Sequence, residues 1–280
     1  MNLLKFFGIL LIVFIAGWYM LVGTKSPQSD LVWDDAASRT VSTVTDGDIL
    51  TLYDVRDWTY ASGTILSKEW VEETTLNVDE LIGVWFLLEP FSEWQAVGHT
   101  YLTFEFKDGN NISFSVEARR EADEGYSAIK GTFRNYELSY TWGTERDLLT
   151  RRLLYLQHPL RMYPLKLEPE VQKQLLLSLA EQTTTLKEKP RFYNTLTANC
   201  TSILAKEVNT AYPNSIPYHI SWNLPGYSDT FLMKEGHILM RGDIDETIAH
   251  YDLSQYRKEV ADIATSSHSV FSETVRQLLK

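Results

Sequence analysis

Two runs of strict alternation, Gly98–Phe106 and Ile112–Ala118, constrain the fold of this chain more than any other part of it. In the first, Leu102, Phe104 and Phe106 share one side of an extended strand, and His99, Tyr101 and Thr103 share the other. In the second, Ile112, Phe114 and Val116 are the apolar set, and Ser113, Ser115 and Glu117 the polar one. Between them Asp108-Gly109-Asn110-Asn111 is a turn signal, so the pair is predicted as a β-hairpin. His99 and Glu117 then fall on one face, near the same end, provided that the strands pair in the matching register.

Further strands are expected at Ile49–Val55, Asp57–Thr64, Val84–Leu88, Phe133–Thr141 and Met162–Leu167. A short helix is expected over Arg146–Leu154. A longer one is expected over Pro169–Leu186, where Pro169 starts the helix and Val171, Leu175, Leu176 and Leu179 form a stripe. The loop-rich text after Val208, with Pro213, Pro217, Pro225 and Gly226, suits one wall of a cleft. With 280 residues, 44% of them hydrophobic, one large domain is expected. A net charge of -11 without any basic run interleaved with aromatics argues against nucleic acid as a partner.

Phe6–Gly23 is an uncharged apolar run of about the length that crosses a bilayer. It ends on Trp18, Tyr19 and Met20, where a cleaved signal peptide has small residues, so an uncleaved anchor is expected. Lys5 precedes the run and Asp30, Asp34 and Asp35 follow it, which favours a cytoplasmic N-terminus. The expected organisation is a short cytoplasmic stretch (1–5), a transmembrane helix (6–23), a linker (24–40), the main domain (41–265) and a C-terminal tail (266–280) of weakly helical pattern.

Cys200 is the single cysteine, which excludes an internal disulfide framework and a multi-cysteine zinc site. Without a glycine-rich phosphate loop or a His-x-x-x-His pair, no metal and no cofactor is expected. Thr197-Ala198-Asn199 is a polar lead-in, and Leu204 and Val208 fall on one face of a short helix, which puts Cys200 in its first turn. Free amides and the positive end of the helix dipole favour thiolate there, so Cys200 is a candidate nucleophile. The competing reading is a buried structural cysteine.

A nucleophile needs a base and the base needs an orienting group. Of six histidines only His99 begins a well-patterned strand. Glu117 is the natural orienter, with Ser115, Asn199 and Asn111 as weaker choices. Taken singly, His99 reads as a hydrogen-bonded strand histidine and Glu117 as a surface carboxylate.

His99-Thr100-Tyr101-Leu102-Thr103-Phe104, Ser115-Val116-Glu117-Ala118-Arg119-Arg120-Glu121, Tyr126-Ser127-Ala128-Ile129-Lys130-Gly131, Tyr136-Glu137-Leu138, Glu145-Arg146-Asp147 and Phe192–Thr201 together resemble the Lnb N-terminal periplasmic domain family. The likeness runs in order from about Val55 to Asp229. It implies an α+β, circularly permuted papain-like fold of the NlpC and lecithin-retinol acyltransferase type. In such a fold an antiparallel sheet carries a nucleophile-bearing helix, here following the transmembrane helix. It also implies cysteine-dependent lipoprotein N-acylation, or another acyl transfer to a membrane lipid or lipoprotein, on the periplasmic side of the inner membrane. By the resemblance Cys200 is the nucleophile, His99 the base and Glu117 the third member, with Asn199, Thr201, Tyr101, Arg119, Arg120 and Tyr126 as substrate, oxyanion or supporting positions. The alternatives are an envelope cysteine hydrolase (amidase, peptidase or lipase) and a non-catalytic envelope protein.

Overall fold

In the computed structural model, which describes residues 3–28 and 30–280, eight strands among the described residues form one mixed sheet. They are β1 (Ser42–Asp46), β2 (Ile49–Ala61), β3 (Thr64–Asn77), β4 (Leu81–Pro90), β5 (Gly98–Phe106), β6 (Ile112–Arg119), β7 (Glu137–Thr144) and β8 (Arg161–Pro164), in the order β1-β2-β7-β6-β5-β4-β8 with β3 also on β2. The helices are α1 (Leu3–Trp18), α2 (Ala128–Thr132), α3 (Glu145–Thr150), α4 (Pro169–Glu188), α5 (Cys200–Ala211), α6 (Ser228–Lys234), α7 (Ile244–His250), α8 (Arg257–Asp262) and α9 (His268–Leu278). The expected antiparallel sheet is corrected in one place. Two antiparallel groups are joined through a parallel bridge between Arg56 of β2 and Gly143 of β7.

The hairpin forms in the register that its alternation requires, with Tyr101 opposite Ser115 and Leu102 opposite Phe114. Extending that register sets His99 across from Glu117. The polar face of the hairpin is covered as well as the apolar one. Thr103 and Ser113 are fully buried there and hydrogen-bond each other at 2.6 Å, so their hydroxyls are satisfied without water. The two strands expected at Ile49–Val55 and Asp57–Thr64 are one strand, β2, in which Asp54 takes a left-handed conformation (φ 61°) that its short polar side chain tolerates.

The expected transmembrane helix over 6–23 is overturned: no helix among the described residues is long and apolar enough to cross a membrane. The α-helix stops at Trp18 after 16 residues, and Tyr19–Gly23 continue as a π-helical turn. At about 1.5 Å per residue such a helix falls short of a hydrocarbon core of about 30 Å. Its end is held by the domain, since Trp18 packs on Phe133 (ring centroids 5.2 Å apart) and Arg134 donates to the Val22 carbonyl at 3.4 Å. Of the stretch 1–5, Met1 and Asn2 lie outside the described residues, as does Ser29 of 24–40. Trp33 and Asp34 run beside the end of β6, bridging Glu121 and donating to the Arg120 carbonyl.

At the other end of the chain α9 packs Phe271 and Val275 into the core. Its first residue, His268, meets Asp57 at 2.9 Å, and Arg146 and Thr144 also hydrogen-bond that carboxylate. Burial alone raises the Asp57 pKa, but the hydrogen bonds from His268 and Thr144 and the charges of His268 and Arg146 outweigh it and bring it down to about 2. A depressed carboxylate contributes stability above its unfolded pKa and loses it as the pH falls through the folded one. Asp57→Asn should therefore cost about 2 kcal/mol at pH 7, and urea melts should show that difference vanishing towards pH 2. An equal loss at both ends of that range would refute the assignment.

Candidate active site

Helix α5 begins where its capping chemistry dictates. The Asn199 side chain accepts from the Ser202 amide at 2.9 Å, and the Ser202 hydroxyl accepts from the Asn199 amide at 3.0 Å. Asn199 also donates to the carbonyls of Thr195 and Trp222. The expected helix start is thus correct, and Cys200 is its first residue. The cap occupies the Ser202 amide and leaves the Cys200 and Thr201 amides pointing out of the helix end, where the dipole favours negative charge.

The structure brings Cys200, His99 and Glu117 together. The His99 ring hydrogen-bonds Ser115 through Nε2 at 2.8 Å, Ser115 donates to Glu117 at 2.6 Å, and Nε2 lies 3.3 Å from the Glu117 carboxylate. Ser115, a weaker choice in the sequence reading, therefore bridges imidazole and carboxylate. Cys200 is 3% exposed, and its thiol sits 3.8 Å from the Thr201 hydroxyl. Burial raises the thiol pKa, but the charge and hydrogen bonding of His99 and the Thr100 donors lower it further, leaving it below its ordinary value. Burial lowers the His99 pKa, and the charges of Glu117 and the Cys200 thiolate overcome this and lift it to about 10. Glu117 is held well below the usual carboxylate range because His99 and Arg152 offset the burial that would raise it. A thiolate–imidazolium pair backed by a carboxylate is the state that these shifts favour, and it can attack a carbonyl carbon.

A second layer went unread in the sequence. Arg152, 2% exposed, donates to Glu117 at 3.3 Å and to Glu89 at 3.1 Å, and the other Glu89 oxygen meets His158 at 2.6 Å. The Arg152 guanidinium also lies 4.4 Å from the centroid of the Tyr101 ring, which in turn stacks with His99. Arg152 belongs to a π-helical turn, Arg151–Tyr155, that follows α3 in place of the single helix expected over Arg146–Leu154. Helical periodicity does not locate a residue across such a turn. The signal that could have found it is composition: Arg151-Arg152 interrupts Leu148-Leu149 and Leu153-Leu154, and buried guanidiniums imply buried carboxylates.

The remaining predicted residues divide by place. Thr201 hydrogen-bonds Thr100 at 2.9 Å beside the thiol, and Tyr101 lies fully buried beneath His99. Tyr126 packs on Tyr136 and edge-on against Tyr193, whose own titration is moved up by burial and then by the Cys200 charge and Tyr126. Arg119 is away from the thiol, stacked 4.1 Å over Trp33 and donating to the Ala37 carbonyl. Arg120 donates to the Glu124 carbonyl and lines a separate polar pocket. Asn111 closes the hairpin turn by accepting from the Phe106 amide. Among the described residues no three His, Cys, Asp or Glu side chains converge to hold a metal ion.

An apolar pocket of about 560 Å³, partly open to solvent, lies along α5 and reaches Thr201, the residue after Cys200; it is lined by Thr201, Leu204, Ala205 and Val208 of α5, by Leu102 of β5 and by Trp222 and Phe231. Cys200 precedes Leu204 by one turn on that helix face. The segment after Val208 supplies the outer wall, as expected. Gly226 fastens it to the loop before His99, donating to the Ala96 carbonyl at 3.0 Å, and a β-carbon there would strike the Gln95 carbonyl.

The family model described as the Lnb N-terminal periplasmic domain matches residues 67–224, more than half of the chain and a span that includes Glu89, His99, Glu117, Arg152 and Cys200. The chain belongs to that family, a periplasmic one. Searches of curated proteins and of solved structures gave no match.

Proposed function

We propose that this member of the Lnb N-terminal periplasmic domain family is a cysteine-dependent acyltransferase of the cell envelope. The observation that carries the reading is the apolar pocket along α5, which reaches the residue after a thiol paired with His99, itself held by Glu117. The Cys200 thiolate attacks the carbonyl carbon of an acyl ester, and the oxyanion that forms is held by the Cys200 and Thr201 amides. The C–O bond breaks, and the leaving alcohol takes its proton from the His99 imidazolium. An acyl thioester on Cys200 results. His99, now neutral, removes a proton from an incoming amine or hydroxyl, which attacks the thioester and expels the thiolate. The substrate class is a membrane lipid or lipoprotein, whose acyl chain fits the pocket. Lipoprotein N-acylation is the specific form favoured by the family. Water as acceptor turns the same steps into hydrolysis, but the buried thiol and apolar wall disfavour water and so favour transfer. A circularly permuted papain-like fold agrees with the order of histidine strand and cysteine helix.

Thiol reactivity tests the chemistry without a known substrate. The rate of Cys200 alkylation should rise through an inflection below the free-thiol value of about 8.5. Turnover should follow a bell: it rises as the thiolate forms and falls as His99 loses its proton near 10. An alkylation inflection at or above the free value would contradict the proposal. Mass spectrometry of envelope lipoprotein N-termini and phospholipids, with and without Cys200→Ala, identifies donor and acceptor.

A further inference from the structure

A second pocket, of about 420 Å³ and partly open to solvent, shares no lining residue with the apolar one, and its wall carries Arg56, Arg120, Arg151 and Arg152 together with Asp34 and Glu117. Four guanidiniums around one cavity are unexpected in a chain of net charge -11. Their pairing is uneven. Arg56 is spent on Asp147, which it meets through Nε at 2.8 Å and Nη2 at 2.9 Å. Arg152 is shared between Glu89 and Glu117. Arg120 has the Glu124 carbonyl at 3.3 Å and only a distant Asp34 at 3.9 Å. The Arg151 guanidinium makes no hydrogen bond or ion pair with any described residue, although the residue is half-buried in the cavity wall. Burial and the like charges of Arg56 and Arg152 press its pKa down by more than Tyr60 and Glu117 raise it, so its cation is only partly compensated.

We infer that this cavity is a binding site for a phosphate oxyanion, held by Arg151 and Arg120 and drawn in by the potential of Arg56 and Arg152. The two guanidiniums reach the cavity from different elements, Arg120 from the loop after β6 and Arg151 from the turn after α3, and a tetrahedral phosphate accepts donors from several directions where a planar carboxylate accepts them in its own plane. Glu117 in the wall does not repel the anion strongly, because Arg152 and the His99 imidazolium already cover its charge. The phosphate comes either from a phospholipid headgroup or from a free phosphate. The assignment does not rest on acyl transfer.

Calorimetric titration of the full chain with inorganic phosphate, and with glycerophosphoethanolamine as a soluble phospholipid headgroup, separates the sources: the tighter of the two is the natural class. Arg151→Gln should weaken the preferred probe about tenfold or more, the loss of a charge-assisted contact. Arg120→Gln should weaken it less and serves if Arg151→Gln does not fold. Lys258→Gln, an exposed cation elsewhere, should change affinity less than about twofold, which controls for net charge. Cys200→Ala should likewise leave phosphate affinity within about twofold, so failure of the thiol chemistry and failure of this site are told apart. No binding of either probe up to about 20 mM, where a ligand of this strength would raise Tm measurably, overturns the proposal. So does affinity unchanged in both Arg151→Gln and Arg120→Gln.

Discussion

Replacing Cys200 with serine should abolish acyl transfer, by about 10⁴-fold or more, while the protein still folds. The size follows from the pKa. His99, Thr100 and the helix end stabilise a thiolate whose ordinary pKa is only about 8.5, whereas a serine hydroxyl lies far above that and stays protonated against the same partners. The fold survives because the sulfur and the hydroxyl are of similar size and because the hydroxyls of Thr100 and Thr201, which already bond each other at 2.9 Å, stand ready to pair with a third. The check has two readouts. Incubation with an acyl ester donor should give a mass increase of one acyl group on the native chain, discharged by hydroxylamine, and none on Cys200→Ser. Thermal melts should agree within a few degrees. A serine variant that retains turnover would end the thioester mechanism, and one that melts far lower would recast Cys200 as a packing residue.

Arg152→Met should be the most destabilising single change at the site, by about 3–5 kcal/mol. The side chain lies between two carboxylates, one of which, Glu89, is 4% exposed. Removing the cation strands that charge in the interior, where ion desolvation outweighs any gain from a well-packed methionine. The second effect is electrostatic: loss of a positive charge beside Glu117 leaves His99 and the thiolate less well supported. The alkylation inflection of Cys200 should therefore move up. Glu89→Gln in the Arg152→Met background should restore part of the stability without restoring the inflection. That split separates the structural role of the pair from its influence on the thiol. If the double variant is no more stable than the single one, Glu89 is not the buried charge at stake.

Much of this site can be read from local pattern. The alternation of residues 98–106 and 112–118 admits one hairpin register with the apolar set inward, and that register alone brings His99 opposite Glu117. Asn199 and Ser202, three apart before an apolar stripe, fix where α5 begins and hence that Cys200 sits at its end. Hydrophobicity by itself misled at the N-terminus. The run 6–23 has the composition of a membrane span, but composition does not reveal that the α-helix stops at Trp18, whose ring packs on Phe133.

What local pattern determined, then, is each piece of the candidate site: a strand that begins with Gly98-His99, a partner strand that carries Glu117 near its end, and a capped helix that begins with Cys200. These follow from periodicity and capping, which act over a few residues. Only the tertiary structure decided what those pieces face. The Arg152–Glu89 pair behind Glu117, the apolar pocket beside α5 and the arginine-lined cavity depend on contacts between residues far apart in the chain, such as Glu117 with Arg152, 35 positions on, and Arg56 with Asp147, 91 positions on. No short-range rule encodes them, because burial of a charge is settled by whichever partner the folded chain brings to it.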